Sequence, residues 1–171
     1  SYRSSAEIVT ALESNELDLG VIGAARKLPR TLVVTHRFKD AFTLITPASH
    51  ENPKVPARTK PAMKSWAARQ KWLLIDEAGQ TGKALRAWMR RQGMMVEPAM
   101  QFDSFDLIIN LVALGMGVSF VPIRALALYG RRRTITRVPM RDRFDRELAV
   151  VVRKQRSMPE HLRNFVANIL F

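Results

Sequence analysis

Cysteine is absent from the 171 residues, which rules out a disulfide framework, thiolate metal sites and cysteine nucleophiles. That composition suits the cytosol. Histidine is scarce as well: His36, His50 and His161 stand apart, with no neighbours at metal-ligand spacing. No Gly-x-Ser-x-Gly elbow is present. Gly79-Gln80-Thr81-Gly82-Lys83 is glycine-rich but lacks the spacing of a phosphate loop, and Gly115-Met116-Gly117 lacks the third glycine of a dinucleotide fingerprint. There is no long uninterrupted apolar run. The longest candidate, Leu107 to Ile123, is broken by Asn110, Gly115, Gly117, Ser119 and Pro122, whereas a membrane span needs about 20 mostly apolar residues. It reads instead as a buried helix, a turn and a buried strand. The opening Ser1-Tyr2-Arg3-Ser4-Ser5 is polar, and no charged-then-apolar block follows it as in a secretory leader. These absences leave little material for catalysis, for a cofactor or for a metal.

Acidic residues are in short supply: 15 Asp and Glu face 28 Lys and Arg, for a net charge of +13. Such a surplus attracts polyanions and small anions and speeds their encounter. The basic residues are scattered over several predicted elements, which argues against direct nucleic-acid binding by this segment. With 47% hydrophobic and 25% charged residues, the chain has the make-up of a folded globular protein. Its length fits one medium domain or two small ones.

Helices and strands alternate along the chain. Ser4 and Glu7 form a capping box before an apolar face of Ile8, Val9, Ala11 and Leu12, and Asn15 stands where that helix should stop. A short buried strand, Leu17 to Ile22, follows and ends at Gly23. Ala41 to Thr46 reads as a strand halted by Pro47, and His50 to Lys64, with Pro53, Pro56 and Pro61, as a loop. Trp72 to Ile75 is another strand. Thr81 and Gly82 open a helix with Leu85, Trp88 and Met89 on one face, Arg90 and Arg91 in its last turn and Gly93 as its cap. Val96 to Phe102 is a strand, and Ser104 caps a helix burying Ile108, Ile109, Leu111 and Val112. Strands are expected at Val118 to Val121, Ile135 to Val138 and Leu148 to Val152, with a short helix beginning at Pro122. Ser157 and Glu160 form a second capping box before a last helix carrying Leu162, Phe165, Val166, Ile169 and Leu170. The alternation predicts an α/β fold with a largely parallel sheet.

Two places suit binding. The loop Asp76 to Thr81 joins a strand to a helix start, and Asp103-Ser104 does the same for the next helix. Ligands of open α/β sheets sit at the carboxyl ends of strands, where helix N-termini present N–H groups and a positive dipole end to anions. Thr81 and Ser104 would add hydroxyls; both serve equally as plain helix caps. Asp76 and Glu77 are adjacent carboxylates, a pair open to acid–base chemistry but more often a solvated loop.

Several segments, in order, resemble the C-terminal effector-binding domain of LysR-type transcription regulators. They are Leu12-Glu13-Ser14-Asn15-Glu16-Leu17-Asp18-Leu19-Gly20-Val21, Ser49-His50, Trp72-Leu73-Leu74-Ile75, Leu85-Arg86-Ala87-Trp88 with Gly93, and Glu97-Pro98. The most telling runs from Asp103-Ser104-Phe105 through Leu111-Val112-Ala113-Leu114-Gly115-Met116-Gly117-Val118-Ser119-Phe120-Val121-Pro122. The resemblance implies two Rossmann-like α/β subdomains of the type 2 periplasmic-binding-protein architecture, joined by two crossings, with a small effector in the cleft between them. On that pattern subdomain I holds residues 1–39 and 147–171, and subdomain II residues 40–146. Subdomain I would be incomplete, lacking its first strand, its first helix and most of its second strand. The winged helix-turn-helix DNA-binding domain would also be missing.

Carried over residue by residue, the resemblance places Ser4, Ser5, Gly23, Ala24, Ala78, Gly79, Gln80, Thr81, Ser104, Phe105 and Arg146 around the effector. Gly23 offers only backbone where some relatives keep a basic anchor, which leaves Arg26 or Arg146 for that role. The implied protein is a cytoplasmic sensor, not an enzyme, without a cofactor or metal and without a membrane partner. It would take a small anion such as a carboxylate, dimerise through this domain, form a tetramer at full length and touch DNA only through the missing domain. The alternatives are a solute-binding protein of a transport system, which shares the two-lobed fold, and a two-lobed transferase. The transferase would need a cofactor-attachment residue, commonly cysteine, and the chain has none.

Overall fold

The computed structural model describes residues 4–24, 27–48, 60–127, 129–130, 132–140, 142–154 and 159–170. The chain divides into two compact units, Ser1–Lys39 with Arg146–Phe171, and Asp40–Asp145.

In the first unit, helix α1 (Ser5–Glu13) opens with the expected capping box: the Ser4 hydroxyl accepts from the Glu7 N–H at 3.3 Å, and the Glu7 carboxylate accepts from the Ser4 N–H at 2.6 Å. The helix stops because Asn15 adopts a φ of 64°, a left-handed conformation that asparagine tolerates better than most residues. Strand β1 (Leu19–Gly23) follows and pairs antiparallel with strand β7 (Asp145–Arg153), Val21 lying opposite Val150. Arg153 closes the turn between α1 and β1. Its guanidinium donates to the carbonyls of Leu12 at 2.7 Å and Leu17 at 3.1 Å and lies 3.4 Å from the Asp18 carboxylate. Leu12, Ile22, Leu32, Ala149 and Val151 form the buried cluster of this unit. The closing helix α6 (Glu160–Leu170) buries Val166. Ser157, the expected cap of α6, and Arg26 lie outside the described residues.

Strand β2 (Leu32–Pro47) runs out of the first unit at Lys39 and into the second at Asp40. Within the second unit it pairs antiparallel with β5 (Ser119–Pro122), Leu44 opposite Phe120, and with β6 (Ile135–Val138), Leu44 opposite Val138. Strands β3 (Trp72–Ile75) and β4 (Pro98–Phe102) pair in parallel, and a bridge from Trp72 to Val118 links β3 to the chain entering β5. The helices of this unit are α2 (Lys60–Ala68), α3 (Gln80–Arg91), α4 (Phe105–Ala113) and α5 (Ile123–Ala127).

Its core is large. The Trp72 ring stacks on Phe120 at 5.6 Å and donates its indole N–H to the Ala67 carbonyl at 2.9 Å, while Trp88 meets Phe120 edge-on at 5.2 Å. Leu73, Leu74, Leu85, Met89, Ile108, Ile109 and Val112 fill the space around them. Each such aliphatic side chain contributes about 1.5–3 kcal/mol when fully buried. The run between α4 and β5 packs tightly. Gly115 has a φ of 83°, and a side chain at Gly117 would strike the Lys71 carbonyl.

Three expectations need correction. The sheet is not largely parallel: the pairs β1–β7, β2–β5 and β2–β6 are antiparallel, because β2 and β7 carry the chain across between units rather than closing a strand–helix–strand repeat. Strand β2 begins at Leu32, well before Ala41. Residues 60–64 belong to α2 rather than to a loop; Pro61 sits in the first turn, where the missing N–H costs no helical bond. His50, Pro53 and Pro56 lie outside the described residues.

Candidate functional site

In the second unit, the parallel pairing of β3 and β4 sets Ile75 opposite Phe102, and the Asp76 N–H extends the ladder by donating to the Phe102 carbonyl at 2.8 Å. Both strands therefore end at one edge of the sheet, and each turns directly into a helix. Ala78, Gly79, Gln80 and Thr81 lie at the start of α3, and Ser104 and Phe105 at the start of α4. Ala78, Gly79 and Gln80 are exposed; Thr81, Ser104 and Phe105 are half-buried. Two adjacent helix N-termini therefore lie at the carboxyl ends of parallel strands, with Asp76, Asp103 and Asp106 beside them in the chain.

The two helix starts are capped differently. Ser104 caps α4, its hydroxyl accepting from the Leu107 N–H at 3.5 Å. The N-cap of α3 is Gly79, which has no side-chain acceptor; Thr81 lies inside the first turn and does not open the helix as the sequence suggested. Gly79 prevails because the preceding loop is organised by Asp76, whose carboxylate accepts from the Ala78 N–H at 2.9 Å in an Asx turn. Gly82 keeps this loop close, since a side chain there would collide with the Asp76 carbonyl and the Glu77 backbone.

Asp76 and Glu77 are both engaged in holding the loop. The Glu77 carboxylate pairs with the Arg86 guanidinium at 2.6 Å, and Arg86, only 7% exposed, also donates to the Val96 carbonyl. Sequence reading missed Arg86. The signal was its place beside Leu85 and Met89 on the inward arc of α3, which requires a buried partner for a cation. Phe105 meets Phe42 edge-on at 5.5 Å, and Phe42 meets Phe144 at 4.9 Å, so the start of α4 rests on an aromatic cluster.

In the first unit, Ser5 and Gly23 come together: the Gly23 N–H donates to the Ser5 hydroxyl at 3.4 Å. Ser4 is taken up by the α1 cap, and the Ala24 N–H donates to the Glu147 carbonyl at 3.0 Å. Arg146 is half-buried on β7. The expected residues thus form two groups, one on each unit. Among the described residues no cluster of His, Asp and Glu could hold a metal ion, and no helix is long and apolar enough to cross a membrane.

The LysR substrate binding domain family matches residues 1–170. A "Probable RuBisCO transcriptional regulator" from Cyanidium caldarium is 25% identical over 173 residues, covering 98% of this chain and 53% of that protein. The chain therefore spans about half the length of this curated relative. In fold, the chain is similar to the Synechocystis PCC6803 CcmR regulatory domain in complex with 2-PG, with a TM-score of 0.66 and 17% identity, covering 98% of this chain and 78% of that one. It is also similar to the effector binding domain of QuiR in complex with shikimate, with a TM-score of 0.65 and 12% identity, covering 98% and 77%. The match over nearly every residue, on a fold shared with regulator effector domains, shows that this chain belongs to the LysR substrate binding domain family, the effector-binding part of LysR-type transcriptional regulators.

Proposed function

We propose that the chain senses a small anionic metabolite for a LysR-type regulator, holding it between the two units. The observation that carries this reading is the pair of helix starts at Gly79–Thr81 and Ser104–Phe105, set side by side by the Asp76–Phe102 hydrogen bond. An anion there would meet the N-terminal ends of two helix dipoles and the Thr81 and Ser104 hydroxyls. From the first unit, Ser4, Ser5, Gly23, Ala24 and Arg146 would complete the site. The net charge of +13 favours an anion on the way in. The complexes with 2-PG and with shikimate support a small-molecule ligand by likeness of fold. The task is binding, with no chemical step: ligand that favours one arrangement of the units shifts the population toward it.

The reading includes a homodimer of this domain and a tetramer of a longer protein working in the cytoplasm, with DNA contacted by a winged helix-turn-helix domain outside this sequence. An apolar stripe supports the dimer. Leu107 on α4 and Leu114 at its C-cap are 44% and 76% exposed, and Met100 on the neighbouring β4 is 45% exposed. A thermal-shift screen of small carboxylates tests the sensor reading. A true effector at about 100 times its dissociation constant adds about 2.7 kcal/mol of stability, and Ser104→Ala with Thr81→Ala should remove most of that gain. An undiminished gain in the double variant would place the ligand elsewhere.

A further inference from the structure

A hollow lies within the second unit, lined by none of the residues assigned to the effector. Phe42, Thr43, Ile123, Pro139, Met140, Arg137 and Arg143 enclose a cavity of about 170 Å³. A neighbouring cavity of about 370 Å³ shares Ile123 and Arg137 with it and is otherwise lined by Leu126, Ala127 and Ile135. The two form one groove between α5 and β6, and together they reach the size of a small-molecule site, about 300–1,000 Å³.

The walls have a consistent polarity. Among the described residues, the larger cavity is lined by aliphatic side chains and Arg137, and the smaller one adds Arg143 against Phe42, Thr43, Pro139 and Met140. Arg137 and Arg143 are exposed, and no ion pair joins either guanidinium to a described carboxylate. The cation on α5, Arg124, behaves differently: it lies 4.0 Å from the buried Asp40 carboxylate. Planar guanidinium groups grip carboxylates through paired N–H donors, and an apolar chain beside them gains by leaving water.

We propose that this groove is a separate binding site for an organic carboxylate with an apolar body, its head between Arg137 and Arg143 and its tail along Ile123, Leu126 and Ile135. Because Phe42 lines the smaller cavity and its ring meets Phe105 edge-on at 5.5 Å, occupancy of the groove bears on the start of α4 through that aromatic pair.

The test uses hexanoate as the charged probe and hexanamide as its neutral counterpart. Each is titrated into the 171-residue chain and read by methyl NMR at Ile123, Ile135 and Met140. The expected result is saturable shifts at these methyls with hexanoate, with affinity reduced about tenfold or more for hexanamide and in Arg137→Gln/Arg143→Gln. Both arginines are exposed, so the double variant should fold, and its unchanged far-UV circular dichroism confirms that it does. Equal affinity for the two probes, hexanoate binding that survives the double variant, or shifts confined to residues 78–81 and 104–107 would each overturn the proposal.

Discussion

The backbone N–H of Asp76 donates to the carbonyl of Phe102 at 2.8 Å, one step past the last paired residues of β3 and β4. This bond brings two loops distant in sequence to one edge and aligns the helices that follow. The candidate site depends on that alignment more than on any single side chain. Several changes near it have outcomes that differ from what residue type alone would suggest.

Gly82→Ala is one. Alanine in a helix is normally favoured over glycine by about 1 kcal/mol. Here the new methyl would meet the Asp76 carbonyl and the Glu77 backbone, which cannot swing aside as a flexible side chain would. The variant should lose about 1–3 kcal/mol, as overpacked sites do. Urea denaturation checks the sign, and a gain in stability would show that the loop does not hug α3.

Arg86 carries a larger load than its partner. Removing it by Arg86→Met leaves the Val96 carbonyl and the half-buried Glu77 carboxylate without their donor. A loss of about 2–3 kcal/mol is expected, below the full cost of breaking a deeply buried pair because water reaches Glu77. Glu77→Gln should cost about 1 kcal/mol, since Arg86 keeps its carbonyl bond. Equal losses for the two variants in denaturant unfolding would contradict this division.

The capping serines should also separate. Ser4 has a reciprocal capping box, whereas Ser104 makes a single 3.5 Å contact to Leu107. Ser4→Ala should cost about 1 kcal/mol and Ser104→Ala about 0.5 kcal/mol. Thermal unfolding without ligand measures both. A large loss at Ser104 would mean that its main role is structural rather than ligand binding.

Leu114→Glu tests the proposed dimer surface. The side chain is 76% exposed, so the charge should change monomer stability by no more than about 0.5 kcal/mol. Sedimentation velocity should show the variant as monomer at concentrations where the parent chain is dimer. A dimer that persists in Leu114→Glu would move the interface away from α4.

Much of the second unit was legible in the sequence because its signals are local. Trp72 to Ile75 is a short apolar run with clear ends, Leu85, Trp88 and Met89 repeat at helical spacing, and Ser104 stands directly before an apolar helix. The first half of β2 was hidden for a physical reason. Thr35, His36, Arg37 and Lys39 break the apolar alternation, because that stretch is largely exposed and draws its order from pairing rather than burial. The true cap of α3 was hidden because Asp76, three residues upstream of Gly79, organises the turn, so the hydroxyl of Thr81 is not the start of the helix. Arg86 escaped notice because a cation on a helix reads as surface until its carboxylate partner is placed in space. The two Phe42 ring contacts join residues far apart in the chain and leave no local trace.

The most direct measurement is a backbone-amide NMR titration with a carboxylate found by thermal shift. Saturable shifts are expected at Gln80, Thr81 and Gly82 and at Phe105, Asp106 and Leu107, the N–H groups at the two helix starts, weakened together by Thr81→Ala and Ser104→Ala. Tight binding that leaves those six amides unmoved would contradict the proposed site.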